Sequence, residues 1–272
     1  MLGKRQHNLT QRHEESWRPP LLAVHTGWGS SCRAALRRYF DLQAGSIWND
    51  LIVILVETQG RVLDVGCGAQ PYRRLLPPDV EYQGIDVAMG PTEFGYQSPD
   101  TVYYSGSTWP VADRSVDLVL CTETLEHVFD YERFLCEACR CLHPGGRLVA
   151  TVPFAARWHF VPNDFWRFTP SCLQRLLQAA GFEEVTVYAR GNAVTVACYK
   201  VMALIIPLLM PHTCSNWRGL GRRVLGLFAA PALILCAVLG NLSLHSAGGD
   251  DCLGYTILAR RPSTAGPSRV RF

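Results

Sequence analysis

Charge is scarce in this sequence. Asp, Glu, Lys and Arg make up 18% of its 272 residues and the net charge is +3. This is neither the long basic face of a duplex-binding protein nor the depleted composition of a disordered chain, so no nucleic-acid partner is expected. Residues 1–15 lack an apolar stretch and carry charges of both signs. They therefore lack the hydrophobic region of a secretory signal, and the cytoplasmic side is the expected location. The 11 cysteines are odd in number and scattered from Cys32 to Cys252, which suits reduced thiols better than a disulfide framework. Cys136 and Cys139 form a CxxC followed by Cys141, but no second CxxC or Cys/His pair stands at zinc spacing, so they read as small core side chains. A chain of this length holds one sizeable α/β core and an appendage.

What is present alternates. Residues 1–40 are mixed and irregular, with Pro19, Pro20 and a basic patch at Arg33, Arg37 and Arg38, and read as an N-terminal arm. In 41–58, Leu42, Ile47, Trp48, Leu51, Ile52 and Leu55 recur at helical spacing. Then follow a strand at 61–65, a helix at 71–76, a strand at 82–86, a looped stretch to Tyr103, a strand at 116–121, a helix at 130–142, a Pro144-Gly145-Gly146 turn and a strand at 147–153. Thr169 and Pro170 cap and open a further helix, Gly181 ends it, and a strand covers 184–188. Near-continuous apolar strands, each followed by a helix, predict a doubly wound, mostly parallel sheet covered on both faces. The predicted organisation is an arm at 1–40, a core at 41–192, a hydrophobic helical insertion at 193–250, a last strand at 251–262 and a basic tail at 263–272.

Val62-Leu63-Asp64-Val65-Gly66-Cys67-Gly68 places two glycines at the carboxyl end of the first strand, where a parallel sheet has its ligand crevice. A cofactor approaches the backbone closely there, and a Cβ would obstruct it. Asp86 ends the second strand 18 residues after Gly68, where a carboxylate accepts hydrogen bonds from ribose hydroxyls. A nicotinamide fingerprint would need a third glycine three residues after the second; Pro71 stands there, which disfavours a dehydrogenase.

These segments, with the downstream Trp109-Pro110-Val111-Ala112-Asp113, the Glu123-Thr124-Leu125-Glu126-His127-Val128 run and the Leu142-His143-Pro144-Gly145-Gly146 turn, resemble the class I S-adenosylmethionine-dependent methyltransferases, of the type 11-like kind, in order and spacing. The resemblance implies a Rossmann-like sheet of seven strands whose last strand is antiparallel, with S-adenosylmethionine as cofactor. It implies that Asp64, Gly66, Cys67 and Gly68 hold the methionine end, that Asp86 binds the ribose, and that the Ser105-Gly106 turn lies by the adenine. Family members often carry an acidic residue where this chain has Ser105, whose hydroxyl can still hydrogen-bond the base.

Methyl transfer from a sulfonium is an in-line displacement, so the protein mainly aligns donor and acceptor, and only a poorly acidic acceptor needs a base. The candidates are His127 and His159. Glu123, Glu126 and His127 form an ExxEH cluster suited to a divalent cation; similar clusters bind metal in some relatives and none in others. No metal is assigned, and the alternatives are positioning of cofactor or acceptor by Glu123 and His127, or capping and packing. The ExxEH cluster is similar to that of quinone-pathway O-methyltransferases, and the aromatic stretch 153–169 to stretches of bacterial members linked to polysaccharide or lipid-linked glycan synthesis, a packed aromatic lid without acceptor contact being the alternative. Its Arg167 is a candidate for holding an anionic group.

Residues 201–211 are wholly apolar and 224–244 contain no charged residue, with Arg218, Arg222 and Arg223 between them. A spanning helix needs about 20 apolar residues; Pro231 interrupts the second run, and the first is short. Two helices lying in the interface, with arginines among headgroups, avoid burying charge. A spanning hairpin and a soluble cap or dimer face are the alternatives. The expected function is methyl transfer, most readily to oxygen of a small-molecule or lipid-linked acceptor, by a protein peripheral or monotopic on a membrane. A catalytically degenerate, membrane-bound partner subunit is the rival.

Overall fold

Apolar runs rich in Val, Leu and Ile, too short for helices and bounded by glycine or proline, build the central sheet. The computed structural model describes residues 28–210 and 217–263. In chain order the elements are α1 (Trp28–Phe40), α2 (Leu42–Leu55), β1 (Arg61–Val65), β2 (Glu81–Val87), α3 (Gly90–Glu93), β3 (Thr101–Tyr104), β4 (Val116–Thr122), α4 (Tyr131–Cys141), β5 (Leu142–Pro153), α5 (Pro170–Ala179), β6 (Glu183–Arg190), α6 (Ala193–Leu209), α7 (Trp217–Ser243) and β7 (Gly254–Arg260). The seven strands lie in the order β3-β2-β1-β4-β5-β7-β6. β1 pairs parallel with β2 and β4, and β4 with β5, whereas β7 runs antiparallel to β5 and β6. The doubly wound sheet, its antiparallel last strand and the apolar helical segment before that strand agree with the sequence.

Strand order reverses between β1 and β4, and ligands of doubly wound sheets lie outside the carboxyl ends at such a reversal. Both faces are covered. On one, Ile47, Leu51 and Leu55 of α2 pack on Val62, Leu118, Leu120 and Val149. On the other, Phe134, Leu135, Leu173 and Leu177 of α4 and α5 pack on Leu63, Val119, Leu148 and Ile257. Local caps fix where helices begin: Asp41 Oδ1 accepts from the Ala44 amide at 3.2 Å, Asp130 Oδ1 from the Arg133 amide at 3.2 Å, and Thr169 Oγ1 from the Cys172 amide at 3.4 Å.

Three local expectations are corrected. Residues 28–40, expected within an irregular arm, form α1, whose Arg37 and Arg38 stand in the last turn, where the helix dipole favours cations; Arg38 also stacks 4.0 Å over the Trp48 ring. The helix expected at 71–76 is only a 3-10 turn, Arg73–Leu75, because Leu76 precedes Pro77 and takes an extended ψ of 145°. The looped stretch ending at Tyr103 contains the edge strand β3. Residues 1–27 of the arm and 264–272 of the basic tail lie outside the described residues.

Candidate active site

The carboxyl ends of β1, β2 and β4 surround a cavity of ≈ 460 Å³, lined among others by Gly66, Gly68, Asp86, Glu123, His127 and His159. Its near wall is made from turns at the strand ends. Gly66 follows β1 at φ +68°, and a Cβ there would stand 2.3 Å from Thr124 Cγ2. Gly68, at φ +50°, donates its amide to Asp86 Oδ2 at 3.0 Å, and the Val87 amide reaches Asp86 Oδ1 at 2.8 Å. Burial raises the Asp86 carboxyl pKa against these two hydrogen bonds. Cys67 lines the cavity too; burial, then the nearby Asp64, push its thiol up to about 12, so it is a thiol and not a nucleophile.

Asp64 lies one layer beneath this wall. It is 1% exposed and its Oδ2 accepts from the Tyr82 hydroxyl at 2.8 Å, while Oδ1 has no partner. Burial pushes its carboxyl up to about 7, opposed by the Tyr82 hydrogen bond and assisted by Asp86. Ser105 is exposed beyond β3 and off the lining; Gly106, Ser107 and Trp109 form the wall there.

The first residue beyond β4, Glu123, adopts φ +48°, a conformation that costs a non-glycine residue about 1 kcal/mol. Two contacts hold it. Its amide donates to the Thr151 carbonyl at 3.0 Å, and its Oε1 accepts from Arg190 Nη2 at 2.8 Å. Arg190, at the end of β6, is 2% exposed and also reaches Ser46 Oγ at 3.1 Å and the Val152 carbonyl at 3.1 Å. Nothing in the sequence marked this arginine, since a lone Arg ending a strand normally reads as surface charge.

The far wall comes from Leu125–His127 and the loop after β5. The amides of Phe165 and Trp166 donate to the Glu126 carbonyl, at 2.9 and 3.3 Å. Asp164 fixes the loop's shape: Arg167 grips both its oxygens, at 2.6 and 2.7 Å, and the His159 amide reaches Oδ2 at 3.0 Å. Burial alone would raise the Asp164 carboxyl, but Arg167 and His159 outweigh it and hold it well below the usual carboxylate range. Arg167 is therefore occupied inside the loop and not presented to a ligand's anion. The spacing of Asp164 and Arg167 in the sequence was the available signal for this pair.

Each histidine has its Nδ1 against oxygen: His127 at 2.6 Å from the Asn163 carbonyl, His159 at 3.0 Å from the Arg157 carbonyl and 3.0 Å from Asp164 Oδ2. A proton on each Nδ1 satisfies these contacts and leaves each Nε2 with its lone pair. The rings lie 5.0 Å apart, and Phe94 and Phe160 pack against His127 at 5.4 Å each. Burial and then His159 push His127 down to about 4, so it is neutral. Ligand atoms of Glu126, His127 and His159 all lie within 4.8 Å of one another, whereas Glu123 of the ExxEH set turns to Arg190. Glu126 is 0% exposed and neither carboxylate oxygen has a hydrogen-bond partner. Burial, then Glu123, hold its pKa well above the ordinary value.

Comparison with known proteins adds the following. Residues 35–187 match the family described as methyltransferase domain. The chain is 33% identical over 151 residues to a malonyl-[acyl-carrier protein] O-methyltransferase of Methylococcus capsulatus, covering 48% of this chain and 54% of that protein. It is 34% identical over 119 residues to a human thiol S-methyltransferase, covering 39% and 47%. It is also 28% identical over 153 residues to a ubiquinone biosynthesis O-methyltransferase of Azorhizobium caulinodans, covering 45% and 58%. The chain thus spans about half the length of the curated relatives it matches. In fold it is similar to the [4+2]-cyclase SpnF, with TM-score 0.50 and 23% identity over 82% of this chain and 83% of that one.

Proposed function

Because the chain belongs to the class I S-adenosylmethionine-dependent methyltransferases, we propose that it transfers a methyl group from S-adenosylmethionine to an oxygen of a lipophilic or lipid-linked acceptor. One observation carries the reading: a single cavity has Gly66, Gly68 and Asp86 on one wall and His127, His159 and an aromatic rim of Phe94 and Phe160 on the other. Gly66, Cys67 and Gly68 admit the methionine end, with Asp64 buried beneath them. Asp86 accepts from the ribose, the Gly106 turn beside Ser105 borders the adenine, and Glu123, fixed by Arg190, faces the cofactor. The aromatic rim suits an apolar acceptor body.

The chemistry asks little of the protein beyond alignment. Bound S-adenosylmethionine would supply the methyl group on a sulfonium that leaves as a neutral thioether, and the two walls would set the acceptor oxygen in line with it. The hydroxyl proton passes to His159 Nε2, whose ring is held by Arg157 and Asp164 through Nδ1. The similarity to a malonyl-[acyl-carrier protein] O-methyltransferase and to a ubiquinone biosynthesis O-methyltransferase supports an oxygen acceptor. Incubation with methyl-labelled S-adenosylmethionine and a panel of lipophilic hydroxyl and carboxyl acceptors tests this; label should enter the organic phase at oxygen. Transfer only to sulfur or nitrogen, or saturable cofactor binding with no transfer, would reject it.

A second reading of the far wall is favoured by the unpartnered, fully buried Glu126 carboxylate: a divalent cation held by Glu126, His127 and His159. Its charge would lower the acceptor hydroxyl's pKa and take over the base's task. Chelation followed by Mg²⁺, Mn²⁺ or Zn²⁺ add-back decides between them. Transfer indifferent to both removes the cation.

A further inference from the structure

Among the described residues, an extended apolar surface lies on the hairpin between β6 and β7. Residues Leu220–Ser243 have a mean hydropathy of 2.1, yet only 22% of their most apolar window is buried. One narrow stripe of α7, Gly226, Leu233, Ala237, Gly240 and Ser243, is covered. Small residues make that contact close: a Cβ on Gly226 would stand 3.0 Å from Leu209 Cδ2, and one on Gly240 2.5 Å from Leu42 Cδ1. Every exposed position from 224 to 242 is Val, Leu, Phe, Pro, Ala or Ile, with Phe228 82% exposed and Leu227 66%. Leu204 of α6 adds a further 74% exposed side chain. Monomers in water rarely leave an apolar face of this extent uncovered.

Charge says what covers it. From 185 to 249 the sequence has no Asp or Glu, while Arg190, Lys200, Arg218, Arg222 and Arg223 are all cationic. Arg222 and Arg223 are exposed and stand directly before the apolar surface of α7. A second copy of this hairpin would bring like charges together with no acidic residue to meet them; anionic headgroups above an acyl layer meet both features at once.

Placement gives the surface a purpose. The hairpin leaves the sheet after Arg190 and returns at Gly254, which pair with each other and stand beside Pro153 at the carboxyl end of β5. That is the edge along which the cavity lies. The base is clamped there: Thr195 Oγ1 and Ser243 Oγ lie 2.6 Å apart, Asn241 Nδ2 donates to the Tyr39 carbonyl at 2.9 Å, and Lys200 Nζ donates to the Ala155 carbonyl. Ala155 is the second residue of the loop that carries His159. Both ends are fixed at one sheet edge, so a crossing hairpin would carry Arg222 and Arg223 through the acyl layer to the far side, whereas one lying on a leaflet keeps them among its headgroups.

We propose that the α6–α7 hairpin is a monotopic docking surface for an anionic lipid bilayer, seating its apolar face among the acyl chains and Arg222 and Arg223 among the headgroups, so that the cavity faces the interface. Docking stands without methyl transfer; delivery of a lipid-borne acceptor rests on the function proposed above. Vesicle flotation of the full chain tests it, using phosphatidylcholine alone and with about a third phosphatidylglycerol. Binding to the anionic vesicles is expected, weaker in high salt. Leu227→Glu with Phe228→Glu should weaken it at least about tenfold and Arg222→Glu with Arg223→Glu should remove the preference for anionic lipid, both with S-adenosylhomocysteine binding unchanged. Val53→Glu, at a 70% exposed apolar position on α2, should bind as the unaltered chain does. The proposal is overturned if the unaltered chain floats with neither vesicle, if Leu227→Glu/Phe228→Glu floats equally well, or if that variant instead converts a dimer to a monomer. Failure on vesicles with cofactor binding and transfer intact would remove docking and leave the methyltransferase reading standing.

Discussion

The two walls of the cavity are built on different principles. The wall of Gly66, Gly68 and Asp86 is backbone at the ends of adjacent parallel strands, and its hydrogen bonds join residues of neighbouring turns. The wall of His127 and His159 is a loop after β5 that Asp164 and Arg167 brace from within and that folds back on the residues after β4, where the Phe165 and Trp166 amides donate to the Glu126 carbonyl. The first needs only the sheet. The second needs tertiary contacts to exist at all, so changes in one wall should leave the other largely in place.

Gly66→Val should have the largest effect. It puts a branched side chain at φ +68° into space held by Thr124, so binding of S-adenosylhomocysteine should vanish from calorimetry while circular dichroism retains the α/β signature. Retained binding within about threefold would mean the turn is not the cofactor's seat. His159→Gln should come next, lowering turnover by about 100-fold with the cofactor dissociation constant unchanged in calorimetry. A loss of both together would show that the walls are not separable.

The same contrast explains what the sequence disclosed. β1 and β4 were legible because each is a short apolar run with punctuation at its ends, and α4 and α5 because Asp130, Thr169 and Pro170 are local signals; β5 was legible only from Arg147, since the strand begins at Leu142 and takes in the expected Pro144-Gly145-Gly146 turn. Gly66, Gly68 and Asp86 were legible as strand-end residues for the same reason, and they line the cavity. The meeting of His159 with Glu126 and His127 was not, because no local rule brings a loop after β5 onto the turn after β4. Nor was the Arg190–Glu123 pair, which joins strand ends across the sheet, nor the reversal of Arg167 from ligand candidate to loop brace. β3 is four residues at a sheet edge, too short for a periodic pattern.

Asp164→Asn should act more mildly than His159→Gln. It keeps the loop's shape and one hydrogen bond to Arg167 but leaves a half-buried guanidinium without its counter-charge, and should lower turnover about tenfold. Cofactor affinity should not move. Restoration of turnover by Asp164→Glu would assign the effect to charge.

The smallest effect is one of pH. Burial raises the Asp64 carboxyl from 3.8 to about 7 in the folded chain, so between these values the unfolded chain binds fewer protons than the folded one. Its contribution to the stability of the unliganded protein therefore declines as pH rises from about 4 to about 7 and is flat above. Asp64→Asn should remove that decline, visible as a melting-temperature gain over the unaltered chain that grows across this window. A gain independent of pH would place the Asp64 proton elsewhere.

The central claim is that the strand-end wall holds S-adenosylmethionine, and calorimetric titration of the unaltered chain beside Asp86→Ala tests it most directly. A charge-assisted hydrogen bond to the ribose contributes about 1.5–3 kcal/mol. The account predicts one saturable site whose dissociation constant rises at least about tenfold in Asp86→Ala; no saturable heat, or equal constants for the two proteins, would contradict it.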